Sequence, residues 1–148
     1  MPEFIPERFR HKRWADRLTG SGFLGTVLAF FLAFIIPLQG VAGLVFLLAA
    51  SGVSVYLSGI AETALGRKDD PRIVIDEIIG YFWSIAFLPF TTLGVRLTAF
   101  VLFRIFDVYK IPTGEVQKLK GGWGIMMDDI LSGLAANFII HVSLQILS

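Results

Sequence analysis

The chain has 148 residues, of which 55% are hydrophobic and 17% are charged, and its mean hydropathy is +0.71. This length suits one domain, and the apolar composition exceeds that of a soluble globular protein, so we expect a membrane protein. The formal net charge of +1 does not exclude nucleic acid by itself, but the charged residues are concentrated in a few segments and leave little for a basic nucleic-acid-binding face. The absence of cysteine excludes disulfides, thiolate zinc sites and a cysteine nucleophile.

Residues 1–20 carry five Lys or Arg side chains with Phe, Ile and Trp residues interleaved among them. This composition predicts a basic segment at the membrane interface, although a solvated tail is the alternative. Because basic residues flank the cytoplasmic ends of membrane helices, the segment indicates a cytoplasmic N-terminus.

Two apolar runs follow, Phe23–Ile36 and Val41–Ile60, and the Pro-Leu-Gln-Gly sequence between them predicts a tight turn on the far side. A helix needs about 20 residues to cross a hydrocarbon core of roughly 30 Å. We therefore expect the first helix to start near Leu18 or to lie in a thinned region of the bilayer. The charged segment Glu62–Arg72 then returns the chain to the cytoplasmic side.

The apolar region Ile78–Phe106 is either one long helix or a hairpin that turns near Pro89–Gly94. One helix would separate the polar groups at its two ends by about 42 Å, at a rise of about 1.5 Å per residue. A hairpin brings those groups to the same side and places Arg96 near the far interface, where its side chain can snorkel. We therefore predict a hairpin of two short helices.

The polar connection Val108–Gly124 precedes a last helix, predicted over Ile125–Leu147. The pattern as a whole predicts one membrane-embedded domain over residues 1–148, with an all-α fold. We expect a polytopic bundle of about five helices, with the short hairpin in the middle and the C-terminus on the far side.

Three polar clusters interrupt or border the apolar runs, and the hairpin would gather them at the cytoplasmic ends of the helices. They are Asp76 with Glu77, Arg104 with Asp107, and Asp128 with Asp129. A charge in an apolar environment costs several kcal/mol unless it is paired, so a common partner is expected. Hard oxygen ligands from separate helices are what Mg²⁺ prefers. The sequence therefore predicts an Mg²⁺ site with Asp76, Glu77, Asp128 and Asp129 as ligands.

Adjacent carboxylates on a helix diverge by about 100°, so one member of each pair can bind metal while the other bonds a neighbouring helix. Arg104 either pairs with Asp107, three residues on, or binds a phosphoryl group through its planar guanidinium. A glycine-rich turn before a helix also favours anions, although that signal is weak alone. The phosphate-binding groups that we expect are Arg104, Lys110, Lys120, Gly121 and Gly122.

The segments IVIDEIIG, FVLFRIFDVYKIP and KGGWGIMMDDILSG resemble, in order and at similar spacing, the three signature segments of the phosphatidylglycerophosphatase A family. The resemblance covers roughly Pro71–Gly133. It implies a bacterial inner-membrane enzyme, with its active site on the cytoplasmic side, that uses Mg²⁺ to convert the lipid phosphatidylglycerophosphate to phosphatidylglycerol. The active-site residues implied by the matching motifs are Asp76, Glu77, Arg104, Asp107, Asp128 and Asp129.

The chain departs from the family before its first helix, where members usually carry a glycine- and proline-rich segment. Here the corresponding residues are LTGSGFLGT, which retain Gly22, Gly25 and Thr26.

Two other functions are weaker interpretations. A CDP-alcohol phosphotransferase uses similar carboxylates, but its DG…AR…G…D…D pattern is not matched. A non-catalytic cation-binding or transport protein needs polar groups that continue through the bilayer. Asn137 and His141 are the candidates for such a path, and we expect both to form hydrogen bonds between helices instead.

Overall fold

A computed structural model of the chain describes residues 21–66, 74–89, 91–109 and 122–148, and these residues form helices and turns with no β-strand. The helices are α1 (Ser21–Leu32), α2 (Gly40–Leu65), α3 (Ile75–Ile85), α4 (Leu93–Tyr109) and α5 (Gly122–Leu147). The predictions of an all-α fold and of a short hairpin, α3–α4, are confirmed for this part of the chain. The predicted interfacial segment, residues 1–20, lies outside the described residues.

The helix ends differ from the prediction by a few residues. Helix α1 ends at Leu32 rather than Ile36, because the chain enters its turn before the proline. Helix α2 continues past Ile60 to Leu65, where Gly66 adopts a left-handed conformation with φ of 66° and terminates the helix. A start of α1 near Leu18 would lie outside the described residues.

Helix α3 is the shortest helix and lies at the centre of the bundle. It contacts each of the other four helices, and its most extensive packing is against α5. Helices α1 and α2 follow each other in the chain but do not contact each other; α1 packs against α3 and α4, and α2 packs against α3 and α5. Most of α3 is therefore buried, including its acidic first turn at Asp76. This central position lets one short helix present groups to all of its neighbours.

Asn137 of α5 binds the end of α3 that is distant from Asp76. Its Nδ2 donates to the carbonyl oxygens of Trp83 and Ala86, at 3.1 Å and 2.6 Å. Carbonyl groups in the last turn of a helix have no partner within the helix, so the amide satisfies groups that would otherwise be buried alone. The interhelical bond predicted for Asn137 is confirmed. The one predicted for His141 is wrong, since its Nε2 lies 3.2 Å from Gln145 Nε2 on the same helix.

Arg96 joins the end of α1 to the hairpin turn. Its Nη1 donates to Ala33 O at 2.8 Å, its Nε donates to Thr91 O at 3.3 Å, and its guanidinium carbon lies 4.3 Å from the centre of the Phe34 ring. Tyr81 of α3 donates its hydroxyl to Arg96 O at 3.0 Å. These contacts fix α1, α3 and α4 relative to one another at the end of the bundle opposite Asp76.

The outer surface of the bundle is apolar. Among the described residues, Gly40–Leu65 and Met126–Leu147 are long and apolar enough to cross a membrane, with mean hydropathies of 2.0 and 1.8. Only 22% of each window is buried inside the protein. The apolar side chains of both helices therefore face outward, which supports a location in a membrane and distinguishes them from core helices of a soluble protein.

Candidate active site

The three predicted polar clusters lie together at one end of the bundle. Asp76 and Glu77 occupy the first turn of α3, and Arg104 and Asp107 lie near the C-terminal end of α4. Asp128 and Asp129 follow two turns into α5. Because α3 and α5 begin at the same end at which α4 finishes, the hairpin brings all six side chains together. Their chemical roles remain predictions.

The carboxylates form two groups of three. In one group, oxygen atoms of Asp76, Glu77 and Asp129 all lie within 4.8 Å of one another. In the other, oxygen atoms of Asp107, Asp128 and Asp129 satisfy the same limit. Asp129 belongs to both groups, and it is only 2% exposed. The two groups therefore form one continuous acidic centre around Asp129.

Both adjacent pairs enter this centre together, so the divergence of neighbouring positions does not carry one member of each pair away from it. Asp76 and Glu77 lie in one group, and Asp128 and Asp129 lie in the other. The Cα–Cβ bonds of neighbouring residues on a helix diverge, but rotation about the side-chain bonds can turn both carboxylates back toward a shared centre. Asp107 was predicted as an active-site residue but not as a metal ligand, and its carboxylate joins Asp128 and Asp129 in the second group.

The composition of the centre fits a divalent cation. Like charges that are gathered in a buried site repel one another, and a bound cation offsets both this repulsion and the loss of hydration. Glu77 Oε2 is buried and has no hydrogen-bond partner among the described residues, so it can act as a ligand. The donors are carboxylate oxygens, which Mg²⁺ and Ca²⁺ prefer over softer metals. The positive end of the α3 dipole favours the same negative charges.

Arg104 forms an ion pair with Asp107, in which Nη1 lies 2.8 Å from Oδ2. Both side chains are about one-tenth exposed, so water screens this pair only weakly. This finding confirms the ion pair that the sequence left as an alternative. It also fixes the orientation of a guanidinium beside the carboxylates, where a phosphoryl group would need a positive partner.

The first turns of α1 form a wall of the centre. A Cβ built on Gly22 would overlap Glu77 Oε1, and it would lie 3.5 Å from Arg104 Nη1. Thr26 is fully buried and donates its hydroxyl to Gly22 O at 2.9 Å. A Cβ on Gly25 would likewise lie 3.1 Å from Val74 Cβ. Only a helix that lacks a side chain at position 22 can approach Glu77 so closely, and the sequence showed Gly22 without showing what it contacts.

The predicted phosphate-binding groups are only partly described. Lys110, Lys120 and Gly121 lie outside the described residues. Gly122 is the first residue of α5, so the predicted loop Gly-Gly-Trp-Gly is helical from Gly122 onward rather than from Ile125. The N–H groups of a first helical turn have no partner within the helix, so this position still suits an anion.

A model of the family described as Phosphatidylglycerophosphatase A matches residues 14–144 of the chain. The Phosphatidylglycerophosphatase A of Haemophilus influenzae is 37% identical over 87 residues, which are 57% of this chain and 53% of that protein. The Phosphatidylglycerophosphatase A of Escherichia coli is 34% identical over 91 residues, or 60% of this chain and 53% of that protein. The aligned region therefore spans about half of each of these two relatives.

A third similar protein comes from Bacteroides thetaiotaomicron and is provisionally named phosphatidylinositol-3-phosphatase. It is 32% identical over 133 residues, which are 84% of this chain and 81% of that protein. No solved structure matches the chain.

Proposed function

The chain belongs to the phosphatidylglycerophosphatase A family, and we propose that it is an Mg²⁺-dependent enzyme that converts phosphatidylglycerophosphate to phosphatidylglycerol and inorganic phosphate. The family predicted from three sequence segments is confirmed, because the family model covers residues 14–144. The observation that carries the proposal is the buried acidic centre, in which two groups of three carboxylates share Asp129.

Mg²⁺ would be held by Asp76, Glu77 and Asp129, and the group of Asp107, Asp128 and Asp129 offers a second set of ligands. When bound, the metal supplies positive charge that polarises the phosphoryl group and stabilises the charge that develops during transfer. This function requires that the carboxylates are ionised, and a bound cation would favour that form because it offsets their mutual repulsion and the loss of hydration.

Arg104 would donate hydrogen bonds to oxygen atoms of the phosphate, while its ion pair with Asp107 holds the guanidinium in position. Lys110 and Lys120 would add attraction for the anionic head group. The first turns of α1 and α5 would direct backbone N–H groups toward the same anion. A carboxylate of the centre would accept a proton from the attacking water or attack the phosphorus directly.

We further propose that the protein crosses the bacterial inner membrane several times, with the acidic centre on the cytoplasmic side. The outward apolar faces of α2 and α5 support this location. The basic residues of the connections before α3 and after α4 support the sidedness, since basic loops remain in the cytoplasm. Helix α3, with 11 residues, is too short to cross a core of roughly 30 Å alone and would end inside the bilayer.

The third relative favours a second candidate substrate. Its alignment covers the larger part of both chains, and its provisional name refers to a phosphorylated inositol lipid. Both named substrates are phosphate monoesters on the head group of a glycerophospholipid. The acidic centre and Arg104 suit either, so the head group decides between them.

The test uses purified protein in detergent micelles with phosphatidylglycerophosphate and, separately, phosphatidylinositol 3-phosphate. Inorganic phosphate is measured with Mg²⁺ and after chelation with EDTA. We expect Mg²⁺-dependent release and a higher kcat/KM for phosphatidylglycerophosphate. Release that persists in EDTA would overturn the metal requirement, and faster hydrolysis of the inositol lipid would establish the second candidate.

A further inference from the structure

Helix α2 carries a polar strip within its otherwise apolar sequence. Ser51, Ser54, Ser58 and Glu62 are spaced by three or four residues and share one face. Ser54 and Ser58 are 1% and 0% exposed. Among the described residues, α2 contacts only α3 and α5, so these buried side chains face the two helices that carry most of the acidic centre.

Two groups of this strip lack hydrogen-bond partners among the described residues: Ser58 Oγ and Glu62 Oε2. Serine and threonine hydroxyls in helices commonly donate to the carbonyl group four residues earlier. Five other hydroxyls in the described part of the chain do so, namely those of Thr26, Thr63, Thr98, Ser132 and Ser143. Ser58 is fully buried and does not, so its hydroxyl is available to a ligand.

The strip is level with the acidic centre. Gln39 Nε2 lies 3.4 Å from Ile85 O, so the start of α2 lies beside the end of α3 and the two helices run in opposite directions. Ser51 Oγ accepts a hydrogen bond from Trp83 Nε1 at 3.0 Å. Ser58 follows Ser51 on α2 by seven residues, and Asp76 precedes Trp83 on α3 by seven residues. Because the two helices run in opposite directions, both residues lie about 10 Å from this contact toward the same end of the bundle, at a rise of about 1.5 Å per residue.

We propose that Ser58 and Glu62 bind a hydroxyl group of the lipid head group, on the carbon next to the one that carries the phosphate monoester. Ser58 can donate a hydrogen bond, and the Glu62 carboxylate can only accept one. Among the groups of the two named lipid head groups, one that accepts from Ser58 and donates to Glu62 is a hydroxyl. The pair thereby selects hydroxylated head groups.

This inference rests on the proposed function and adds a determinant of substrate specificity to it. The glycerol head group of phosphatidylglycerophosphate has one free hydroxyl, on the carbon next to the phosphate-bearing carbon. The inositol of phosphatidylinositol 3-phosphate has hydroxyls on both neighbouring carbons. Phosphatidate has none, because its glycerol is esterified at the two other positions. One hydroxyl site therefore accommodates the substrates named for both groups of relatives and excludes phosphatidate.

The test compares phosphatidylglycerophosphate with an analogue in which propane-1,3-diol replaces the head-group glycerol, so that only the hydroxyl is missing. We expect the wild-type enzyme to prefer the natural lipid by about 100-fold in kcat/KM, because buried polar groups of the site are left unpaired when the hydroxyl is missing. In Ser58→Ala and in Glu62→Gln, this preference should fall to about 5-fold or less, since one of the two hydrogen bonds is weakened or removed.

Thr63→Ala is the matched control, because Thr63 is an exposed hydroxyl on the same helix and already donates to Gly59 O at 3.0 Å. It should keep the wild-type preference. Melting temperatures verify that each variant is folded, and if one variant fails to fold, the other carries the comparison. A preference that is unchanged in the folded variants would overturn this inference and leave the proposed function intact. If the wild-type enzyme releases no phosphate from either lipid, both are overturned.

Discussion

Gly133 of α5 lies directly against the carbonyl group of Gly80 in α3. A Cβ built at position 133 would overlap the carbonyl oxygen of Gly80 and would lie 3.1 Å from its carbonyl carbon. Asp129 precedes Gly133 by one helical turn, and Asp76 precedes Gly80 by one turn. The close approach of the two backbones therefore sets the separation of the carboxylates on these helices.

Gly133→Ala should destabilise the protein and reduce its activity together. The added methyl group meets backbone rather than a flexible side chain, so the two helices must separate, and overpacking of this kind costs about 1–3 kcal/mol. Thermal unfolding in detergent measures the loss, and phosphate release on the same sample measures the effect on the acidic centre.

Gly52→Ala is the control for this substitution. Nothing lies within 4 Å of a Cβ built at Gly52, and the residue is in the interior of α2. Alanine should therefore stabilise that helix by about 0.5–1 kcal/mol. A Gly133→Ala variant as stable and active as Gly52→Ala would show that the α3–α5 contact does not position the carboxylates.

Gly22→Ala should affect activity more than stability. The new methyl group would displace the Glu77 carboxylate, which is the end of a flexible side chain and can move at little cost. A misplacement of about 1 Å in a catalytic centre can reduce turnover by about 100-fold. We expect a reduction of at least about 10-fold in kcat, with a small change in melting temperature. Unchanged kinetics in the folded variant would exclude a role for this wall of the site.

Asp76→Asn and Asp129→Asn test which carboxylates share the metal. Each amide is nearly isosteric and removes a negative charge, so the variants should melt at the same temperature as the wild-type protein in EDTA, or higher. Phosphate release should fall by at least ~100-fold, because the metal supplies several kcal/mol of transition-state stabilisation. Since the two residues act as one unit, the double variant should be scarcely worse than the more impaired single variant.

The same variants provide a measurement that does not depend on activity. A ligand that binds only the folded state raises the melting temperature, so Mg²⁺ should stabilise the wild-type protein. Mg²⁺ should raise the melting temperature of Asp76→Asn and of Asp129→Asn by less than it raises that of the wild-type protein. If Mg²⁺ raises all three melting temperatures equally, these two carboxylates do not hold the metal.

Asn137→Leu should destabilise the bundle while leaving the volume of the side chain almost unchanged. The carbonyl groups of Trp83 and Ala86 would lose their donor, and each unsatisfied buried group costs about 1–3 kcal/mol. Gln145→Leu on the same helix removes only a contact with His141 and should have little effect. Equal melting temperatures for the two variants would contradict the role given to Asn137.

The proposed topology can be tested with single cysteines at Thr113 and Ser148, which are simple to interpret because the chain has no cysteine. If α5 crosses the membrane once, the two positions lie on opposite sides, and a membrane-impermeant thiol reagent should label them from opposite sides. Labelling from the same side would require α5 to return or to lie along the membrane surface.

The sequence predicted the helices well because apolar runs and turn residues specify them locally. The Pro-Leu-Gln-Gly turn and the break before Gly94 marked real helix ends. The hairpin was correctly predicted because one long helix would have left the charges of Asp76 and Asp107 at opposite ends, each without a partner. Local patterns do not contain the packing of distant helices, however. The central position of α3 and the separation of α1 from α2 therefore emerged only in three dimensions.

The candidate site was likewise predicted only in part, because some of its features depend on the packing of distant helices. Asp76, Glu77, Asp128 and Asp129 were identifiable because charges within apolar sequence need a partner. Asp107 was also expected in the site, but its closeness to Asp128 and Asp129 depends on where its carboxylate lies relative to α5, which its spacing from Arg104 does not reveal. Gly22 is likewise ordinary in the sequence, since its importance arises from the approach of α1 to Glu77.

The bond from Asn137 to Ala86 also bears on how the protein is made. Asn137 follows Ala86 by 51 residues, so the ribosome completes the hairpin well before the residue that satisfies its end. In the proposed membrane setting, the nascent α3 would expose carbonyl groups to lipid until the last helix has been inserted. Biogenesis of the hairpin therefore depends on the final segment, and a chain truncated before Asn137 should be degraded rather than persist as a four-helix intermediate.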